Sequence, residues 1–281
     1  MNRGWLGAGV ALVAGLMTAT PSSGQSSFVW RGRAIAGGVL FGHVAPGSNV
    51  RCEGRRLRVT DRGVFVLGIA PEPASELECV VRGPEGRREL VTRRVELRRY
   101  ASVRVDGVDP ALVRPRGGLG RRQRDGDREL FALRSRDSPA PYFTSGFEWP
   151  VEGPRTGGFA EHRSFGAQHG FRHWGIDIAA PLGRVVRAPA AGRVAFVQEL
   201  PVQGRMVVLD HGHGLTSSLL HLSAFRVHEG DLVQRGAPVG LVGSSGRATG
   251  AHLDWRMHAL GTPVDPHEVV RAAGEGASVG P

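Results

Sequence analysis

The segment from His173 to Asp177 combines two residue types that bind divalent metal ions. It reads HWGID, and the spacing of four places the imidazole and the carboxylate on one face of either a strand or a helix. The glycine, the β-branched isoleucines and the nearby Pro181 favour the strand. Zinc accepts imidazole nitrogen and carboxylate oxygen together. The pair therefore indicates part of a metal site, although a lone His–Asp pair is more often a surface hydrogen bond.

A second segment, HLDW from His252 to Trp255, adds further side chains of these kinds. On a strand, His252 and Asp254 point to one side, while Leu253 and Trp255 can point toward a core. A third metal ligand and a further imidazole would then enter one groove together. His221 follows an apolar run and is a candidate for another inward-facing imidazole. Each histidine taken singly is more often structural than catalytic.

The elements that must hold these side chains read as strands. From Gly146 onward, short β-branched runs alternate with turns rich in glycine and proline, and no stretch shows a long helical period. The predicted strands are Val185–Ala188, Arg193–Val197, Met206–Asp210, Thr216–Leu220, Pro238–Val242 and His252–Met257. The C-terminal module is therefore predicted to be all-β.

The histidines divide the chain, because only His43 lies before residue 160. Residues 28–110 hold short strand-like runs between turn clusters, which predicts a small antiparallel β domain without catalytic groups. The Arg-rich stretch that follows is interpreted as a charged connector, with a solvated helix near Gln123–Leu133; the alternative is a strip that holds an anionic polymer. The predicted organisation is a signal peptide (1–24), an N-terminal β domain (25–112), an Arg-rich connector (113–145), a C-terminal β domain (146–272) and a flexible tail (273–281).

The N-terminus has the layout of a secretory signal peptide. Arg3 supplies positive charge, Trp5–Ala19 is apolar, and Pro21 precedes small residues suited to cleavage. The apolar run is short for a bilayer span, although an uncleaved anchor is the alternative. The mature chain is expected to be periplasmic or secreted and not membrane-spanning. In an oxidising compartment Cys52 and Cys79 are expected to form a disulfide, with two buried thiols as the alternative.

The charge balance favours acidic partners. The chain has 36 basic and 26 acidic residues, a net charge of +10, and all of its basic residues are arginines. Such an excess favours nucleic acid, anionic lipid or an anionic cell-wall polymer, while the absence of lysine by itself indicates compositional bias. The export signal and the lack of aromatic–basic stacking motifs argue against nucleic acid. Without lysine, the chain also has no attachment site for a lipoyl or biotinyl group.

The order of these segments resembles the lysostaphin-like, LytM-type zinc metallopeptidases. His173–Pro181 is similar to the first metal motif of that family. The similarity continues, in order and spacing, through the segments Ala188–Val194, Leu209–Gly212, His221–Ser223, Gly230–Val233, Gly246–Trp255 and Pro263–Pro266. It covers residues 146–270. The preceding β domain shows a weaker resemblance to the N-terminal region of an exported proteobacterial subgroup.

The resemblance implies a fold, an activity and a set of roles. The fold would be an antiparallel β-sheet with a substrate groove, and the activity would be cleavage of peptide cross-links in bacterial peptidoglycan. His173 and Asp177 would bind zinc. His221 and His252 would form the catalytic pair, which activates the attacking water or stabilises the tetrahedral oxyanion.

The last motif departs from the family at residue 254. The family usually reads His-x-His there, with the second histidine on zinc, and this chain has Asp254. Three interpretations are open. Asp254 is a working third ligand, or the site is degenerate and the domain binds cell wall or another protein without cutting it. In the third interpretation, His258 on the same strand face takes the place of Asp254 as ligand. The first interpretation is favoured because the other motif residues are present. Two carboxylates would neutralise the charge of the ion, which predicts tolerance of harder ions such as Mn²⁺ or another divalent ion beside Zn²⁺.

Two function classes follow. The favoured one is a zinc endopeptidase on peptidoglycan, with Arg247 and Thr249, just before His252, as candidate substrate contacts or as a loop that holds the strand. The alternative is a non-catalytic regulator that binds cell wall or activates a wall amidase, with that amidase or a divisome protein as partner. His211 and His213 are interpreted as a tight turn rather than a second metal site.

Overall fold

The structure is a computed structural model of the chain and describes residues 28–165 and 168–275. The predicted signal peptide (1–24) lies outside the described residues, as does most of the predicted tail. Antiparallel β-sheets dominate the fold, as predicted from the frequent short β-branched runs. In the part of the chain that the structure describes, no helix has both the length and the apolar character needed to span a membrane.

The first third of the chain forms two small antiparallel sheets. The strands up to residue 104 are β1 (Val29–Arg31), β2 (Val39–His43), β3 (Asn49–Cys52), β4 (Arg55–Leu57), β5 (Val64–Gly68), β6 (Glu76–Arg82), β7 (Arg88–Arg94) and β8 (Ser102–Arg104). The spatial orders of the two sheets are β1-β2-β5 and β4-β3-β6-β7. In β6, Leu77, Cys79 and Val81 are buried while their neighbours are not, which is the two-residue period of a half-buried strand. Cys52 lies opposite Cys79 in the β3–β6 ladder, and the two are joined by a disulfide.

The segment predicted as a charged connector contains a packed helix. Three helical elements lie here: α1 (Pro110–Val113), α2 (Gly117–Arg134) and a 3₁₀ helix (Tyr142–Ser145). The helix expected near residues 123–133 is longer than predicted and is not solvated on all sides. Leu130 and Leu133 of α2 are buried against Phe196 and Leu220. Because charged residues surround these two leucines in the sequence, the pattern did not indicate a buried face on this helix.

The C-terminal half is built on an eight-stranded antiparallel sheet. The elements from residue 155 onward are β9 (Arg155–Gly157), β10 (Glu161–Phe165), β11 (Gln168–His173), β12 (Gly175–Ala179), β13 (Val185–Arg187), β14 (Gly192–Leu200), β15 (Gly204–Asp210), β16 (Leu215–Leu222), β17 (Ala224–Phe225), β18 (Leu232–Val233), β19 (Pro238–Leu241), β20 (His252–Ala259), β21 (Thr262–Val264) and α3 (Pro266–Gly274). The order of the strands in the sheet is β18-β14-β15-β16-β20-β12-β9, with β21 paired to β20.

Both faces of this sheet are covered. β16 is buried along its whole length, because one face meets the main core and the other meets α2. Two smaller sheets, β13-β19-β17 and β11-β10-β8, lie beside it, and β8 joins β10 in parallel. The core centres on side chains such as Leu219, Trp255 and Val207, which have no exposed surface. Burial of these apolar side chains is the main stabilising term.

The N-terminal sheets pack directly on the C-terminal half. Val39 and Val66 belong to the same apolar cluster as Val264 and Ala272. Arg98 donates a 2.9 Å hydrogen bond to Asp265, which also caps α3. α3 runs to Gly274, so the predicted tail begins in helix. The division of the chain at residues 112 and 145 stays a prediction.

Candidate metal centre and groove

Two neighbouring strands bring the acidic candidates together. In the β12–β20 ladder Asp177 lies directly opposite Asp254. Like charges that face each other across a ladder destabilise it unless a cation lies near. Glycines leave room for both carboxylates: a Cβ at Gly175 would lie 2.5 Å from Asp254 Oδ1, and one at Gly157 would lie 2.4 Å from Asp177 Oδ2.

His173 completes a cluster of three ligand atoms. Its Nε2 lies 3.1 Å from Asp177 Oδ1 and 3.3 Å from Asp254 Oδ2. The three residues are buried, and their ligand atoms lie within 4.8 Å of one another. Zinc with bonds of about 2.0–2.1 Å to nitrogen and oxygen needs ligand atoms roughly 3.3 Å apart in a tetrahedral site. The spacing therefore fits a small divalent ion.

In its neutral form, His173 faces the carboxylates with the lone pair of Nε2. Its Nδ1 lies 3.0 Å from the carbonyl oxygen of Gly158, which only accepts, so the proton of a neutral ring is on Nδ1. Nε2 of His173 and Oδ1 of Asp177 are both buried without a hydrogen-bond partner. A lone pair facing two carboxylate oxygens needs a cation between them. The donor set thus fits a metal ion held by His173, Asp177 and Asp254.

Without an ion, the electrostatics of the cluster also call for positive charge, which a proton on Nε2 of His173 supplies. Burial alone would lower the pKa of His173, but the carboxylates of Asp254 and Asp177 raise this pKa to about 9. Burial would raise the pKa of Asp177, but the hydrogen bond and charge of His173 lower it to about 2. Burial would likewise raise the pKa of Asp254, but Arg256 and His173 hold it well below its usual value. Each group favours the charged form because opposite charge lies beside it.

Two arginines bind the carboxylates from outside the cluster. Arg256 Nη2 lies 2.6 Å from Asp254 Oδ2, and Arg163 Nη2 lies 2.7 Å from Asp177 Oδ2. Arg163 is shared with Glu161, at 3.1 Å. The expectation that two carboxylates would neutralise the ion did not include these arginines. Because they already balance part of the acidic charge, a bound ion would keep more of its positive charge.

The two remaining imidazoles stand beside the cluster with free Nε2 atoms. Nδ1 of His221 lies 2.7 Å from the Ser245 carbonyl and Nδ1 of His252 lies 2.9 Å from the Gly250 carbonyl, so each ring keeps its proton on Nδ1 when neutral. The ring centroids are 4.8 Å apart. Nε2 of His252 is 3.7 Å from Asp177 Oδ1, and Nε2 of His221 is 3.9 Å from Asp254 Oδ2. Both rings can therefore accept a proton at the edge of the cluster.

His221 is held in an unusual state. Its backbone φ is +63°, a region in which non-glycine residues are uncommon. Burial lowers the pKa of its imidazole to about 4, which keeps the ring neutral at pH 7. The lone pair of Nε2 is then available to accept a proton.

These groups line one groove of about 330 Å³. Strand β8 and the residues after it form one wall through Val103, Val105 and Val108. Arg247 and Thr249, the predicted substrate contacts, also line the groove. The structure thus brings together all the residues predicted for metal, catalysis and substrate.

Other histidines lie elsewhere. His258 does not join the cluster: it is four residues along β20 from Asp254, about 13 Å at 3.3 Å per residue, so it cannot replace that ligand. His211 is buried, with Nδ1 2.7 Å from the Ala191 carbonyl and Nε2 2.8 Å from the Ser217 hydroxyl. His213 Nε2 lies 3.2 Å from the Pro139 carbonyl. Within residues 28–165 and 168–275, one cluster of metal-ligand type was found, and it does not include these three.

Sequence reasoning missed the two arginines. Arg256 follows Asp254 by two residues on a strand, so its position on the same face was readable from the sequence. Arg163 lies fourteen residues before Asp177, and only the path of β10 brings it near. The carbonyl partners of the three imidazoles, at residues 158, 245 and 250, carry no signal in the sequence.

Comparisons with known proteins agree with this arrangement. The family model described as peptidase family M23 matches residues 171–266. The chain is 43% identical over 97 residues to the DD-carboxypeptidase/endopeptidase Mpg of Neisseria meningitidis, covering 34% of this chain and 22% of Mpg. It is 35% identical over 118 residues to the murein hydrolase activator EnvC of Escherichia coli, covering 42% of this chain and 27% of EnvC. The chain thus spans about a quarter or less of the length of these relatives.

The fold is shared over a longer stretch. A crystal structure from Pseudomonas aeruginosa assigned to peptidase M23 matches with a TM-score of 0.67 and 27% identity, over 85% of this chain and 95% of that one. The match therefore includes the N-terminal sheets as well as the groove. Residues 171–266 of this chain therefore match a LytM-type domain of peptidase family M23.

Proposed function

We propose that this protein is a zinc-dependent endopeptidase that hydrolyses peptide cross-links of bacterial peptidoglycan. The observation that carries the proposal is the convergence of His173, Asp177 and Asp254 beside two imidazoles with free Nε2 atoms. The relative Mpg, whose name includes an endopeptidase activity, supports the same class of reaction.

The reaction divides between the ion and the protein. A bound divalent ion lowers the pKa of water and polarises the scissile carbonyl. Nε2 of His221 accepts a proton from the attacking water, since burial keeps this ring neutral. The proton that His221 takes up can then pass to the leaving amine, while His252, the more exposed of the pair, donates a hydrogen bond to the developing oxyanion when its Nε2 carries a proton. The proposed ion is Zn²⁺, with Mn²⁺ or another divalent ion as alternative.

The surroundings of the enzyme follow from the same proposal. The predicted signal peptide and the Cys52–Cys79 disulfide support export to the periplasm or beyond. The net charge of +10 favours contact with an anionic wall.

The test combines metal analysis with digestion of purified peptidoglycan. The proposal expects about one zinc per chain and release of uncross-linked peptides from cross-linked ones. His252→Gln, which leaves the three ligands in place, should retain the zinc and lose about 100-fold or more in rate. A metal-loaded protein that leaves cross-linked peptides intact at every metal tested would falsify it.

A second candidate is a non-catalytic regulator that binds cell wall or activates a wall amidase. The hydrogen bonds from Arg256 to Asp254 favour this candidate, because the guanidinium already neutralises the carboxylate that would bind the metal ion. The relative EnvC is named an activator of murein hydrolases. This candidate expects metal-free protein and normal function in cells after Asp254→Ala. Bound metal that is lost with the same substitution, in a variant that circular dichroism shows to be folded, would exclude it.

A further inference from the structure

Arg247 lies in the groove against two neighbouring aromatic rings. Its guanidinium carbon lies 4.9 Å from the ring centroid of Phe165 and 5.2 Å from that of Phe171. Its backbone N–H donates a 2.8 Å hydrogen bond to the Val202 carbonyl. The side chain is thus fixed by cation–π contacts and by its loop.

Every other arginine of the groove has an acidic partner. Arg163 pairs with Asp177 and Glu161, Arg256 with Asp254, and Arg172 with Glu72. Arg247 forms no ion pair or side-chain hydrogen bond with any residue that the structure describes. Among the described residues, it is therefore the arginine of this groove that has no ion-pair partner.

An unpaired guanidinium in this place is unfavourable. Burial, together with the charges of Arg256 and Arg163, lowers the pKa of Arg247 to about 10. Partly buried cations are normally paired. The aromatic rings hold the group but do not replace a counter-ion, so an anion that enters the groove would relieve the cost.

We propose that Arg247 binds a free carboxylate of the peptide substrate and sets the specificity of the groove for peptides that carry one; this rests on the proposed function. The planar guanidinium matches a carboxylate through two parallel hydrogen bonds. A single negative charge fits better than a phosphate, because Glu161, Asp177 and Asp254 also line the groove and repel a more highly charged anion.

The experiment compares two forms of one ligand. Cross-linked peptide dimers released from peptidoglycan are used with their carboxylates free and with them converted to amides. Binding to the full chain is measured by calorimetry after metal chelation, which separates binding from hydrolysis. The variants are Arg247→Met, Arg247→Lys, and the control Arg155→Met. Arg155 also packs on an aromatic ring, Trp149 at 4.7 Å, but it does not line the groove.

We expect amidation to weaken binding to the natural chain by about 10- to 100-fold and to leave Arg247→Met almost unaffected. Arg247→Lys keeps the positive charge but loses the two parallel N–H donors of the guanidinium. The effect of amidation on its binding should therefore lie between those for the natural chain and for Arg247→Met. The control Arg155→Met should behave like the natural chain. Equal binding of acid and amide by the natural chain overturns the inference and leaves the proposed function standing. If neither form binds, the inference is overturned, and the digestion of peptidoglycan by the metal-loaded protein decides the proposed function separately.

Discussion

At the scale of single residues, Asp254 is bound on one side by Arg256 and faces the imidazoles of His173 and His221 on the other. A carboxylate in this place differs from an imidazole because it can take a cation on each side. The protein supplies one cation itself, and the guanidinium of Arg256 is only 16% exposed. The aspartate and the arginine therefore form a unit, and changing one without the other leaves a nearly buried charge unpaired.

Restoring histidine alone at residue 254 should therefore destabilise the protein. We expect Asp254→His to lower the free energy of unfolding by about 3 kcal/mol, since Arg256 loses its partner. Adding Arg256→Met should recover most of that loss, and the double variant should bind zinc about tenfold more tightly than the natural chain or better. Urea unfolding and competition with a zinc chelator measure the two quantities.

The matched control is an ion pair on the surface. Arg205 and Glu199 are 40% and 51% exposed, so Glu199→Gln should change stability by less than about 1 kcal/mol. Equal stability of Asp254→His and the double variant would show that the two residues do not act together.

At the scale of elements, α2 serves as a cover for the outer face of the central sheet. Leu130 is 1% exposed and lies in one cluster with Phe196, Met206 and Leu220. Gly126 permits the close approach, because a Cβ there would lie 2.5 Å from Leu200. β16 carries His221 on the same sheet, so this helix supports the strand that presents the imidazole.

Two adjacent residues of α2 test this role. Leu130→Ala should lower the free energy of unfolding by about 2–5 kcal/mol, because it leaves a cavity against the sheet. Phe131→Ala should change it by about 0.5 kcal/mol or less, since Phe131 is 72% exposed. Thermal or urea unfolding measures both. Similar small effects would mean that the helix is a connector lying on the surface, as the charge pattern predicted.

At the scale of the whole molecule, buried histidines outside the groove link stability to pH. Burial lowers the pKa of His211 to about 4, and it also lowers the pKa values of His213 and His258. Unfolded histidine binds its proton near pH 6.5. Between pH 6.5 and 4 the unfolded chain therefore holds more protons than the folded one, and stability falls as the pH drops.

We expect the contribution of these histidines to the free energy of unfolding to be constant above about pH 7. It should decrease as the pH falls from about 6.5 to about 4. His211 contributes about 3 kcal/mol to that loss, from a shift of 6.5 to about 4. His211→Gln should flatten the profile, whereas His228→Gln, at a side chain that is 95% exposed, should not. Urea unfolding at a series of pH values measures these profiles. If the free energy of unfolding of His211→Gln falls with pH as steeply as that of the natural chain, this linkage is excluded.

The order of the motifs was enough to predict the all-β class, the family and the candidate residues. A motif such as HWGID or HLDW depends on local spacing, and the alternation of a strand places residues two apart on one face wherever the strand lies. The β12–β20 ladder then brings Asp177 opposite Asp254, while their role as metal ligands stays a prediction. Strand alternation likewise places Arg256 on the same face as Asp254, so the ion pair between them could have been predicted from the sequence.

Only the tertiary structure determined two features, the charge balance of the groove and the packing of α2 on the sheet. Arg163, Arg247 and the carbonyl of Gly158 reach the site from β10, a loop and a turn, and no spacing along the chain relates them. Whether an arginine has a partner is a property of distances between elements, which a sequence does not contain. Burial acts in the same way: two leucines in a charged helix become core only because a sheet lies against them.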